Sequence, residues 1–157
     1  YVRTGKRLPS KVTEIAVQFR PVPHQAFAPA DVADWQPNRL VIRIQPQERI
    51  ALRLQVKQPG RGMHVEPVYL DFCYADYFGA ALPDAYETLL LDVLRGDATL
   101  FMRADQVEAA WSVVMPLLEH WASVPPDDFP NYAAGAWGPP AADALLERDG
   151  RRWLVSE

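Results

Sequence analysis

Residues 38–57 read NRLVIRIQPQERIALRLQVK, and this stretch decides the fold. Leu40, Ile42 and Ile44 alternate with Val41, Arg43 and Gln45. Beyond a break at Gln45-Pro46-Gln47-Glu48, Ile50, Leu52, Leu54 and Val56 alternate with Arg49, Ala51, Arg53, Gln55 and Lys57. Alternation with a period of two marks strands that bury one face. The stretch therefore predicts a hairpin with an apolar side for a core. Its other side carries Arg43, Arg49, Arg53 and Lys57, free to meet water, a partner or an anion.

Working outward, residues 12–20 predict a further strand, with Thr13, Ile15, Val17 and Phe19 on one face. Residues 21–37 are rich in Pro and Ala and predict an exposed loop, with His24 as a surface histidine. Pro59-Gly60-Arg61-Gly62 makes a turn. Residues 65–75, VEPVYLDFCYA, are apolar on both faces, which places this strand centrally or at an interface. Asp71 lies in its middle and needs a partner if buried; Arg43 or Arg53 on a neighbouring strand can supply one.

The period then changes. Asp84-x-x-Glu87 has a capping-box pattern, and Tyr86, Leu89, Leu90, Val93 and Leu94 follow at helical spacing until Gly96. Asp105-x-x-Glu108 opens a second helix with an apolar stripe through Trp111, Val114, Leu118 and Trp121. Pro116 interrupts that helix, and His120 near its end suits the negative pole of the helix dipole. A short helix over Ala141–Arg148 follows Pro139-Pro140, and Arg151–Val155 predicts an edge strand. Strands first and helices after them predict an α+β fold. The expected arrangement is a mainly antiparallel sheet with helices packed on one face and the other face available for subunit contact.

Composition narrows the function. The 157 residues are 49% hydrophobic and 23% charged, with a formal net charge of -4 and a pI near 5.4. That balance argues against a general nucleic-acid-binding surface. The chain carries one cysteine, Cys73, so no disulfide can form within it, as suits a reducing compartment. No apolar run approaches the roughly 20 residues needed to cross a bilayer. The 15 prolines punctuate rather than cluster, which reads as rigid loops. The opening Tyr1-Val2-Arg3 lacks a Met, which points to a piece of a longer polypeptide.

Chemistry is sparse. GxGxxG and P-loop fingerprints are absent, as are Ser/His/Asp, Cys/His and metal-ligand spacings. The basic N-terminus, YVRTGKRLPSK, sets Arg3, Lys6, Arg7 and Lys11 around Gly5 and Pro9. Such a loop can aim Lys6 and Lys11 at one anion; a solvated basic terminus is the plain alternative. On residues alone, this is a binding or assembly domain with a cationic sheet face.

The runs RTGKRLPSK, NRLVIRIQPQE and LPDAYETLLLDVLRGDATLFMRADQVEAAW, with the tail GPPAADALLERDGRRW, closely resemble the C-terminal half of glucose-6-phosphate dehydrogenases. The resemblance spans the whole chain. It implies a C-terminal substrate-completing and dimerisation domain over residues 1–157, whose dinucleotide-binding domain and catalytic histidine precede it. The family oxidises glucose 6-phosphate to 6-phosphogluconolactone with NADP in the pentose phosphate pathway. The isolated chain is expected to be inactive, with NADP held by the preceding domain and no catalytic residue or metal site of its own. Carried over, the pocket lysine of the family's R-x-G-K motif falls on Lys6, a second basic residue on Lys11 and the glutamine of I-R-x-Q-P on Gln45. Arg3, Arg43, Arg53 and Asp71 match or neighbour positions that hold a second, structural NADP in animal relatives. Two further basic positions of that site read Val12 and Ala16, which favours structural ion pairs for Arg43 and Asp71 instead. The expected partners are glucose 6-phosphate and a second copy of the chain, as a homodimer or homotetramer through the sheet face, in the cytoplasm, with no nucleic acid or membrane. The alternative is a non-catalytic oligomerisation or sugar-phosphate-binding module.

Overall fold

A computed structural model describes residues 1–21, 35–79, 84–124 and 128–154. His24, Pro83 and Val155 lie outside the described residues. Four strands come first, β1 (Thr13–Gln18), β2 (Arg39–Gln45), β3 (Arg49–Lys57) and β4 (Val65–Cys73). Among the described residues four helices follow, α1 (Tyr74–Phe78), α2 (Ala85–Arg95), α3 (Ala104–Ser123) and α4 (Pro140–Glu147). The fold is α+β, as the order of periodicities implies. The chain forms two compact units. One holds the sheet, α1 and α4, drawn from residues 1–82 and 134–157; the other holds α2 and α3, from residues 83–133.

The sheet is antiparallel throughout, in the order β1-β2-β3-β4. Its register fixes the two faces. Ile15, Ile42, Ile50 and Phe72 face one another in a row across the strands, as do Val17, Leu40, Leu52 and Leu70. On the other face, Glu14, Arg43, Arg49 and Cys73 make one row, and Gln18, Arg39, Arg53 and Tyr69 another. The β3–β4 connection closes through Gln58 N–H donating to the His64 carbonyl (2.7 Å) and Lys57 Nζ donating to Gly60 O (2.9 Å).

Three expectations are corrected. First, of the two placements expected for β4 the central one is overturned: β4 is the last strand of the sheet, with Leu70 56% exposed. Apolar residues on both faces of a strand look alike whether the strand is covered by its own sheet or stands at a rim. Second, the strand stops at Cys73, and residues 74–78 turn into α1, whose Tyr74, Tyr77 and Phe78 cluster with Phe72 of β4 in edge-to-face and tilted ring contacts. Third, residues 151–154 form no strand; they follow α4 as irregular backbone, with the Arg151 N–H donating to the Leu146 carbonyl (2.9 Å). Leu146 is the one buried hydrophobic residue among those described, at 3% exposure.

The two faces also differ from the expected inside and outside. On the apolar face Ile15 is 52% exposed, and Val17, Ile50 and Val68 are exposed too. On the cationic face Arg39, Arg43, Ala51 and Arg53 are half-buried. Arginine stems can lie along a sheet while their heads stay wet, so a basic face tolerates partial cover.

In the second unit, Asp84 caps α2 by accepting from the Tyr86 N–H (2.8 Å), and Gly96 ends it in the left-handed region at φ 70°. α3 starts one residue before the expected box. Gln106 Oε1 accepts from the Arg103 N–H (3.1 Å) and Asp105 accepts from the Gln106 N–H (3.1 Å), so Glu108 is not the capping partner.

Candidate functional site

The N-terminal segment, residues 1–12, has no regular structure, yet it is tied down. The Gly135 N–H donates to the Arg7 carbonyl (2.9 Å). The Arg3 guanidinium lies over two indoles, 4.7 Å from the ring centre of Trp137 and 4.6 Å from that of Trp153. Trp153 in turn donates from Nε1 to the Ala142 carbonyl (3.0 Å) on α4. The Arg151 guanidinium lies 5.8 Å from the Tyr1 ring. These contacts border a hollow of about 1270 Å³ whose walls include Arg3, Lys11, Pro46, Trp137 and Trp153.

Of the three residues expected to meet a sugar phosphate, Lys11 lines this hollow; Lys6 and Gln45 are exposed and stand outside its lining. Gln45 sits across from Thr13 in the β1–β2 ladder, with a register shift beside it. It thus lies at the same end of the sheet as Lys11, two residues before Thr13. Lys6 belongs to the tied segment, between Arg3 and Arg7. Val12 and Ala16 also line the hollow and bring no charge to it.

A second hollow, of about 510 Å³, opens on the cationic sheet face. Arg39, Arg43, Arg49, Arg53, Arg152 and Trp153 line it. Burial lowers the Arg39 pKa, and the nearby Arg53 and Arg152 cations lower it further. The buried Nε–H groups of Arg39 and Arg53 have no hydrogen-bond acceptor among the described residues. The other donors of Arg53 are engaged, Nη1 with Gln36 Oε1 (2.8 Å) and Nη2 with Pro37 O (2.7 Å).

Asp71 does not pair with Arg43 or Arg53, as the sequence suggested. Its partner is Arg49, bound through both carboxylate oxygens. The register explains this. Asp71 faces Ala51, so Arg49 and Arg53 are both diagonal neighbours on one face. Arg53 is engaged by Gln36 and Pro37, and Arg49 takes the carboxylate. The pair holds Asp71 below its ordinary pKa and raises that of Arg49. Arg43 lies 3.6 Å from Glu14, its cross-strand neighbour.

The four residues weighed for a structural NADP therefore have protein partners. Arg3 is stacked, Arg43 is beside Glu14, Asp71 is bound by Arg49 and Arg53 by Gln36 and Pro37. No group of three potential metal ligands occurs among the described residues. No described helix is long and apolar enough to cross a membrane. Sequence reading missed Trp137, Arg152 and Trp153. The signal lies in the aromatic residues of the C-terminal segment, Trp137 just before Pro139-Pro140 and Trp153 within the expected edge strand.

These features define an α+β domain that carries basic, aromatic-lined hollows and no assembled reacting group among its described residues. A family model described as "Glucose-6-phosphate dehydrogenase, C-terminal domain" matches residues 1–154. The chain belongs to that family. It is 51% identical over 154 residues to a glucose-6-phosphate 1-dehydrogenase of Mycolicibacterium smegmatis, covering 98% of this chain and 30% of the relative. It is 49% identical over 153 residues to the enzyme of that name from Aggregatibacter actinomycetemcomitans, with the same coverage. A solved glucose-6-phosphate dehydrogenase in complex with its substrate glucose-6-phosphate superposes with a TM-score of 0.70 at 33% identity, covering 98% of this chain and 30% of that one. The glucose-6-phosphate 1-dehydrogenase of Mycobacterium avium gives 0.69 at 34% identity, with the same coverage. The chain thus spans about 30% of the length of the relatives it matches.

Proposed function

We propose that this chain is the C-terminal part of a glucose-6-phosphate 1-dehydrogenase that oxidises glucose 6-phosphate to 6-phosphogluconolactone in the cytoplasm, within the pentose phosphate pathway. The observation that carries the reading is 51% identity over 98% of the chain to an enzyme of that name. NADP is the hydride acceptor, and a preceding dinucleotide domain binds it. This chain's own residues do not fit that role, because they include no glycine-rich phosphate cradle. Its part is to wall the sugar-phosphate pocket. The Lys6 and Lys11 ammonium groups suit a phosphate, and the Gln45 amide can donate to and accept from sugar hydroxyls. The shared location of Lys11 and Gln45 at one end of the sheet supports this assignment.

Arg3, Arg43, Arg53 and Asp71 act structurally in this reading, each through the protein partner named above. The chain assembles as a homodimer or homotetramer through its sheet; exposed Ile15, Val68 and Leu70 favour the apolar face for that contact over the cationic face expected from the sequence. The test is Lys6→Ala in the full-length enzyme that carries this domain. Loss of one charge-assisted hydrogen bond is worth about 1.5–3 kcal/mol, so KM for glucose 6-phosphate rises by an order of magnitude or more. KM for NADP stays put. An unchanged KM for the sugar phosphate defeats the assignment, and NADP reduction by the 157-residue chain alone defeats the division of labour.

A further inference from the structure

Lys6 can serve a sugar phosphate only from a fixed loop, and within residues 1–12 Pro9 alone stiffens the backbone by itself. Residues 1–12 form neither helix nor strand. A free segment of this kind frays unless something ties it down. Here the ties fall on both sides of Lys6. On one side the Arg3 guanidinium lies over the rings of both Trp137 and Trp153, at 4.7 and 4.6 Å. On the other the Arg7 carbonyl accepts the Gly135 N–H at 2.9 Å. Both ties lead to the same C-terminal segment. That segment is anchored by α4, through the Trp153 indole on the Ala142 carbonyl and through buried Leu146.

The backbone beside Lys6 carries a further mark. Arg7 has a φ of 56°, in the left-handed region, and is the one non-glycine residue there among those described. A non-glycine residue persists in that region when its surroundings fix the backbone. Arginine suits the place over the indoles for a stated reason. Its guanidinium is planar and weakly hydrated, so it can meet two rings at little desolvation cost, whereas an ammonium is a compact and strongly hydrated charge. Arg3 is half-buried there.

We propose that Arg3, Trp137 and Trp153 form a clasp that positions Lys6, making Arg3 a positioning residue for the sugar-phosphate site through which the C-terminal segment sets the enzyme's affinity for its substrate. The inference rests on the reading of Lys6 as a substrate ligand. Arg3 itself contributes no contact to the sugar phosphate; it acts through the loop it holds.

The experiment uses the full-length enzyme that carries this domain, with steady-state kinetics on glucose 6-phosphate and NADP. Releasing the cation–π contacts and the loop they order raises KM for glucose 6-phosphate about five- to tenfold in Arg3→Gln, with kcat and KM for NADP within about threefold of the parent. Arg3→Lys keeps the charge and loses the planar stack, so it behaves like Arg3→Gln. Trp153→Leu gives the same split, and Trp153→Phe, which keeps an aromatic face, restores most of the affinity. The double variant Arg3→Gln/Lys6→Ala is no worse than Lys6→Ala, since both act on one contact.

Several results overturn the proposal. Full rescue by Arg3→Lys together with a parental KM in Trp153→Leu means that Arg3 acts as a charge on the ligand and not through the indoles. Multiplying effects in the double variant mean that Arg3 and Lys6 act independently. A parental KM in Arg3→Gln, with KM raised in Lys6→Ala, removes the clasp and leaves the site reading standing. A parental KM in Lys6→Ala removes both. A loss of kcat and thermal stability at unchanged KM assigns the stack to folding alone. Where Trp153→Leu does not fold, Arg3→Gln still decides, because it removes no large apolar side chain.

Discussion

Removing the Asp71 carboxylate probes the charge row that crosses the sheet. Register sets Arg43 directly across from Arg49, two like charges on one face. Unscreened at about 5 Å in water, such a pair repels by roughly 0.8 kcal/mol. Glu14 flanks the row beside Arg43, and Asp71 is bound to Arg49, so the sequence of signs is minus, plus, plus, minus. The Arg49 and Asp71 side chains are 44% and 34% exposed, which limits their own attraction to at most about 1 kcal/mol. Asp71→Asn removes that attraction and leaves Arg49 facing Arg43. The expected cost is about 1 kcal/mol in all, split between the lost pair and the uncovered repulsion. Urea midpoints of the chain at low salt read this directly. Arg49→Gln loses the same pair but also removes the repulsion, so it costs only a few tenths of a kcal/mol. In the Arg49→Gln background, Asp71→Asn then costs almost nothing. At about 1 M salt, where the screening length falls to about 3 Å, the effect of Asp71→Asn shrinks towards zero. An undiminished cost in the Arg49→Gln background, or one that ignores salt, refutes the charge-row account.

Acid should destabilise the chain in a defined window. Asp71 is held below its ordinary pKa by Arg49, and Asp97 by the Thr99 side chain and N–H, so the unfolded chain binds more protons; stability is full above about pH 4 and falls as pH drops through the folded-state values, read by denaturant midpoints against pH. Leu146→Ala, at the buried position on α4, lowers unfolding stability by about 2–4 kcal/mol, measured by urea titration; a cost under about 1 kcal/mol would mean that Leu146 anchors little. Asp84→Ala removes the α2 cap and costs about 1 kcal/mol in the same assay, with Asp84→Asn nearly neutral.

The strands were legible because alternation records a face, and a face survives whatever covers it. Thr13–Gln18, Arg39–Gln45 and Arg49–Lys57 fall where the period of two predicts. The capping aspartate at 84 and the glycine stop at 96 were legible because each carries a local backbone reason. What covers a face is not local, and there sequence reading failed. The cationic rows of β2 and β3 look solvent-facing by composition, yet the arginines at 39, 43 and 53 are half-buried, and Trp153 lines the hollow they form. Asp71 does meet a cation, but it is an exposed carboxylate and not the buried one for which a partner was required. Choosing Arg49 over Arg53 required knowing that Gln36 and Pro37 already hold Arg53, a contact between segments separated in the chain by 16 or 17 residues. Lys11 and Gln45 were chosen by resemblance, and the β1–β2 register brings them to one end of the sheet. The indoles of Trp137 and Trp153 carried no periodicity, so no pattern could assign them a partner.

A net charge of -4 describes this chain poorly, and the reason bears on how the domain works. Cations and anions are sorted by element. The β2–β3 hairpin and the two ends of the chain carry most of the basic residues, and those ends meet where Trp137 and Trp153 take up Arg3. On the sheet, flanking carboxylates neutralise part of the charge, and Glu14 and Asp71 are well placed to keep Arg43 and Arg49 from repelling each other. In the N-terminal loop the compensation is of another kind. Aromatic faces hold Arg3 without cancelling its charge, so the loop can be fixed and remain cationic. A carboxylate would have fixed it equally well but would have competed with a phosphate for the neighbouring lysines. Aromatic rather than acidic partners are therefore the choice that lets a loop be ordered and still attract an anion, and Trp153 lines both hollows together with Arg39, Arg43, Arg53 and Arg152.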